Sequence, residues 1–213
     1  MASKLSLYNG ANLILGERKL ATLSENRPSR RRLDSVWDDG GVKFCLEQGL
    51  WNHAMNTISL SYSPSVTPPS GFPYIYAFDK PADWCRTALI SDDGQFCNKA
   101  FDFEDQGAYW FANPETIWVK YVSDDALFGG DLSLWPEKFT TYVEHYFAWK
   151  ICKATTNSNT DKDLIEKDLR KALTNARATD AMNESPKTLP PGTWSQSRRG
   201  GRSSSDGGSS SSL

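Results

Sequence analysis

The chain has 213 residues, 24 basic and 26 acidic side chains, a formal net charge of -2 and 38% apolar content. That length suits one large domain or two small ones, and the near balance of charge excludes a domain whose whole surface grips nucleic acid. No apolar run approaches the roughly 20 residues of a membrane span, and no apolar core of a signal peptide follows Lys4.

Taken in chain order, Ser3 to Leu15 carries Leu5, Tyr8, Ala11 or Asn12, and Leu15 at helical spacing, with Gly16 as its stop. Ser29 to Gln48 carries Leu33, Val36, Trp37, Gly40 and Phe44 on one stripe, which predicts a second helix entered through Pro28. The period then changes to two. Ile58, Leu60 and Tyr62 alternate with polar residues, and further strands are expected over 74–78, 84–90, 108–112 and 116–122. Asn113-Pro114-Glu115 reads as a hairpin-like turn joining the last two, and Asp92-Asp93-Gly94 as another turn.

Helical spacing returns after Pro136, which suits a first helical position, with Phe139, Tyr142, Val143, Tyr146, Phe147 and Ile151 on a wide stripe. Thr160 and Asp163 resemble a capping box ahead of a fourth helix bearing Leu164, Ile165, Leu169, Ala172, Leu173 and Ala176. The expected fold is α+β: a four-helix bundle-like core built from residues 1–52 and 133–184, a β-rich insertion at 53–132, and an extended C-terminal arm at 185–213. The arm has few apolar residues beyond Leu189 and Trp194, and Lys187, Arg198, Arg199 and Arg202 against Asp206 give it a net charge of +3.

Chemistry-bearing patterns are sparse. The chain lacks GxSxG, GxxxxGK[ST], HExxH and GxGxxG, so no catalytic, cofactor or metal set is expected. Cys45, Cys85, Cys97 and Cys152 contain no Cys-x-x-Cys pair and read as buried free thiols. His145 lies among Tyr142, Tyr146 and Trp149 and reads as a packed side chain; adjacent acidic pairs such as Asp38-Asp39 point apart and read as turns. The basic cluster Arg27, Arg30, Arg31 and Arg32 is sharper. Four cations at a helix start oppose its dipole unless anions lie close by, which makes this cluster a candidate subunit interface. A segment from Asp92 to Asp105 holds Asp92, Asp93, Asp102, Glu104 and Asp105 against Lys99, a net -4, and opposite patches on one chain suit a head-to-tail ring.

Several strings resemble the head-to-tail adaptor family of short-tailed bacteriophages, the tail tubular protein A group. They run from Leu15 to Arg30, over Val36-Trp37-Asp38-Asp39-Gly40 and Cys45–Ala54, then Ala77-Phe78-Asp79-Lys80-Pro81-Ala82-Asp83-Trp84 and Gly130–Pro136. Asp180-Ala181-Met182 and Pro190-Pro191-Gly192-Thr193-Trp194 complete the succession, which covers nearly the whole chain. The resemblance implies a structural virion protein with no catalytic residue, located at the head-tail junction. It implies a ring of twelve copies between the portal protein and the tail nozzle protein, with duplex DNA passing through without sequence readout. Trp194, Arg198, Arg199 and Arg202 are then expected to form a portal-binding arm. A carbohydrate- or receptor-binding module of a phage tail is the alternative that the aromatic content, 8 Trp, 8 Tyr and 10 Phe, leaves open.

Overall fold

A computed structural model describes residues 2–96 and 101–183, and the architecture is mixed α and β. Cys97, Lys99 and the arm residues Trp194, Arg198, Arg199 and Arg202 lie outside the described residues. Three helices come first: α1 (Lys4–Ile14), α2 (Pro28–Asp38) and α3 (Gly41–Glu47). Six strands follow: β1 (Met55–Ser61), β2 (Tyr76–Asp79), β3 (Trp84–Ser91), β4 (Glu104–Gln106), β5 (Tyr109–Ala112) and β6 (Thr116–Ser123). Helices α4 (Glu137–Thr156) and α5 (Asn159–Met182) close the described chain. No described helix is long and apolar enough to cross a membrane.

Helix α1 starts where Ser3 and Ser6 satisfy each other's backbone N–H groups, and it ends before Gly16 at φ +72°. The single helix expected over Ser29–Gln48 is two. Gly40 adopts φ +80°, which terminates α2, and a side chain on Gly41 would come within 2.5 Å of the Val36 carbonyl oxygen. Glycine is what lets the chain turn there, and the apolar stripe continues across the break. Two helix starts also move: Pro136 is the N-cap of α4, and Ser158, not Thr160, caps α5 by accepting from the Asp161 N–H at 3.2 Å.

Helix α4 is the centre of the helical part, packing against α1, α2, α3 and α5. Its buried face carries Phe139, Tyr142, Val143, Tyr146, Phe147 and Ile151, so the wide stripe read from the sequence is the face that all four neighbours share. Gly10 of α1 lies against the side chain of Glu144, close enough that an added methyl group would collide with the carboxyl. Burial, with the nearby Glu137 charge, pushes the Glu144 carboxyl up to about 7.

The strands form two antiparallel three-stranded sheets, ordered β1-β6-β3 and β2-β5-β4. Ile58 opposite Val119 and Leu60 opposite Ile117 fix the β1–β6 register, while β3 meets β6 with two irregularities, between Trp84 and Arg86 and between Thr87 and Leu89. The expected β5–β6 hairpin does not form. Asn113-Pro114-Glu115 instead carries the chain from one sheet to the other, and β5 pairs with β2 and with β4, a strand not read from the sequence. The real hairpin is β4–β5, turned by Gly107 at φ +56°.

Phe78, Ile90, Trp110, Ala112, Ile117, Val119 and Tyr121 form the core between the sheets. On the other face of the second sheet, Phe111 packs with Tyr74 and Ala77, which explains why Tyr109–Ala112 is apolar throughout rather than alternating.

Candidate functional site: an arginine-lined groove

Helix α2 begins at Pro28 with Arg27 as its N-cap, and no side chain caps it. The four arginines expected to act together are separated by what each finds locally. Arg30 reaches Asp34 one turn on at 2.5 Å. Asp34 also accepts from the Tyr8 hydroxyl at 2.8 Å and lies 3.5 Å from the Lys4 ammonium, so Arg30 belongs to a network tying α2 to α1. That carboxylate, after burial itself, pushes the Tyr8 hydroxyl pKa far up. Arg27 pairs with Glu25 at 2.7 Å and donates to the Arg18 carbonyl at 3.4 Å. Arg32 donates to Thr155 Oγ1 at 3.2 Å, at the end of α4. Arg31 is exposed and makes no ion pair among the described residues.

Arg27 and Arg32 nevertheless meet again in an open groove of about 350 Å³, lined also by Glu17, Arg18, Pro28 and Ser29. Arg18 is the member that sequence reasoning missed. It stands nine residues ahead of the cluster, and only the fold of the 16–27 loop brings it alongside. Arg18 and Arg32 make no ion pair among the described residues, so the groove presents two unpaired guanidinium groups, with the Glu17 carboxylate also in its lining, beside the first turn of α2. Guanidinium forks and a helix start both favour carboxylate or phosphate oxygens.

The opposing acidic segment is engaged internally. Asp105 holds the Lys80 ammonium at 2.5 Å and accepts from the Trp110 indole at 3.1 Å; Asp102 accepts from the Tyr74 hydroxyl at 2.9 Å, and Asp93 from the Ser91 hydroxyl at 2.9 Å. These carboxylates fasten the β region internally, and the Lys80 ammonium offsets the charge of Asp105.

Other candidate groups are structural. His145 Nδ1 lies 2.8 Å from the Thr141 carbonyl one turn back. His53 is packed 4.7 Å from the Phe139 ring, neither ring nitrogen has a partner among the described residues, and burial pushes its pKa down to about 4. Cys45, Cys85 and Cys152 are buried free thiols, and burial pushes Cys85 up to about 12, well away from a nucleophile. Among the described residues no group of three His, Cys, Asp or Glu side chains could hold a metal ion.

No protein-family model and no curated protein matches the chain.

Proposed function

We propose that this chain is a structural virion protein, a head-to-tail adaptor that assembles with copies of itself into a ring between the portal protein and the tail nozzle protein. Twelve copies and a lumen that passes duplex DNA without reading its sequence complete this reading. The observation that carries it is the groove in which Arg18 and Arg32 stand without an acidic partner. A ring closes when each copy offers a surface that its neighbour complements, and unpaired arginines at an open groove supply one side of such a contact. The ordered strings from Leu15 to Trp194 support the same reading.

Reversing Arg30 would break the Asp34 network and confuse folding with assembly, whereas Arg18, Arg31 and Arg32 have no acidic partner among the described residues. The triple variant Arg18→Glu, Arg31→Glu, Arg32→Glu should keep its fold by circular dichroism and lose assembled mass in native mass spectrometry. Assembly equal to that of the parent would remove this groove from the interface. A parent chain that stays monomeric but binds glycans would favour the receptor-binding module instead.

A further inference from the structure

Ser29, in the first turn of α2, is 5% exposed, and its hydroxyl has no hydrogen-bond partner among the described residues. Leaving a buried hydroxyl unbonded is costly, which marks this position as one where a further polar group fits. Ser29 stands in the lining of the arginine groove of about 350 Å³, beside Arg18, Arg27 and Arg32. The geometry points to a binding site for a phosphate group in this groove, held by Ser29 and the three guanidinium groups. This goes beyond the ring reading, because phosphate binding is a property of the single chain and does not depend on assembly.

The backbone adds a donor of its own. Pro28 opens α2 without an N–H, and no side chain caps the helix. The Ser29 N–H therefore has no partner among the described residues, while the Arg31 N–H already reaches the Arg27 carbonyl at 3.2 Å. Two of the guanidinium groups are held by contacts that leave part of their donor fork free. Arg27 gives Nε to Glu25 at 2.7 Å and Nη1 to the Arg18 carbonyl at 3.4 Å, which spares Nη2. Arg32 gives Nη1 to Thr155, whose own hydroxyl donates to the Ile151 carbonyl, and this spares Nε and Nη2. A fork fixed before the ligand arrives loses less entropy on binding.

Charge and shape select the ligand. The lining sets three guanidinium groups against the single carboxylate of Glu17, and Glu25 meets Arg27 from outside it. The remaining excess is positive, and it stands beside the positive end of the α2 dipole. Its donors belong to separate segments: the 16–27 loop, the start of α2, and an α2 side chain tied to the end of α4. A carboxylate offers two oxygens in one plane, whereas a phosphate group offers three or four around a tetrahedral centre and accepts from several directions at once. The groove is open, so a free phosphate ion and the end of a small phosphate ester carry the same recognisable chemistry into it.

The test titrates sodium phosphate into the full-length chain at low ionic strength by isothermal calorimetry, with glycerol 3-phosphate and acetate as parallel ligands. Phosphate should bind saturably at a single site, and acetate at least tenfold more weakly. Arg18→Gln, a change at an exposed residue, should weaken phosphate about tenfold, as expected for one lost charge-assisted hydrogen bond. Ser29→Ala should weaken it severalfold, whereas Lys19→Gln, at an exposed lysine outside the lining, should leave it unchanged. Circular dichroism checks that each variant keeps its fold. Glycerol 3-phosphate bound as tightly as phosphate assigns the site to phosphate esters; its rejection assigns the free ion, and either result sustains the inference. No saturable phosphate binding overturns it, as does full binding in both Arg18→Gln and Ser29→Ala. Equal weakening by Lys19→Gln and Arg18→Gln overturns it too, since that pattern marks diffuse charge rather than a site. Acetate bound as tightly as phosphate overturns it while leaving the ring reading standing, with the groove open to a neighbour's carboxylates.

Discussion

Phe139 and Lys80 occupy comparable places in the two regions of this molecule, each where several elements meet, and their surroundings differ in kind. Phe139 is 1% exposed, with the rings of His53, Trp51 and Trp135 at 4.7, 4.8 and 4.9 Å. Lys80 is also buried, its side chain 6% exposed, but its ammonium is held by Asp105 at 2.5 Å and the Gly107 carbonyl at 2.9 Å and lies 4.0 Å from the Trp84 ring centre. Thr87 of β3 completes this network: its hydroxyl donates to Asp105 and accepts from the indoles of Trp84 and Trp110. The helices bring long apolar stripes from both ends of the chain, and their polar ties, such as Tyr8 to Asp34 and Arg32 to Thr155, are only partly buried. Two three-stranded sheets bury less apolar surface, and a hydrogen-bonded cation fixes how they meet.

The comparison breaks if truncation at the two centres costs the same. Phe139→Ala should cost about 3–5 kcal/mol in urea denaturation, the range for a buried aromatic whose cavity cannot fully collapse. A loss below about 1 kcal/mol would mean that the helical part is not organised around this ring. Lys80→Ala should cost less, about 2 kcal/mol. Breaking a fully buried ion pair costs more than that, but Asp105 is 37% exposed and water can take over part of its solvation. Its effect should also be local, with faster amide hydrogen exchange in β2, β4 and β5 than in α4. Equal acceleration in both regions would contradict separate fastening.

The effect that is smallest at neutral pH sharpens the contrast as the pH falls. His53 sits in the apolar region with a pKa near 4, below its ordinary value, so the folded state favours the neutral ring. The unfolded chain therefore binds the proton first as the pH falls. The stabilisation is complete above about pH 6.5 and is lost toward pH 4, by on the order of 3 kcal/mol. His53→Phe should flatten the stability profile over that window, measured by thermal unfolding at a series of pH values. A parallel slope in parent and variant would show that His53 does not titrate on unfolding.

Much of this architecture was legible because it depends on periodicity. The stripe from Phe139 to Ile151 is the buried face of α4, and the alternation at Ile58 and Leu60 is the β1 ladder, since burying one face imposes the period directly on the residues. The break at Gly40 was less visible because the apolar stripe runs through it, and only the backbone at φ +80° separates α2 from α3. Asn113-Pro114-Glu115 has the composition of a hairpin turn, but turn chemistry says where a chain bends and not which strand it then pairs with.

The candidate site divides in the same way. By itself the sequence determined that cations cluster at the start of α2, that aromatic residues are numerous enough for a thick core, and that residues 185–213 carry few apolar side chains. Tertiary structure decided which of those cations stay unpaired. Asp34 takes Arg30, Glu25 takes Arg27, and the 16–27 loop brings Arg18 to the groove beside Arg32. The physical reason is range. Helical and strand periods are properties of neighbours along the chain, whereas the fate of a charge depends on whichever opposite charge the fold brings within a few ångströms, and that neighbour can be anywhere in the sequence.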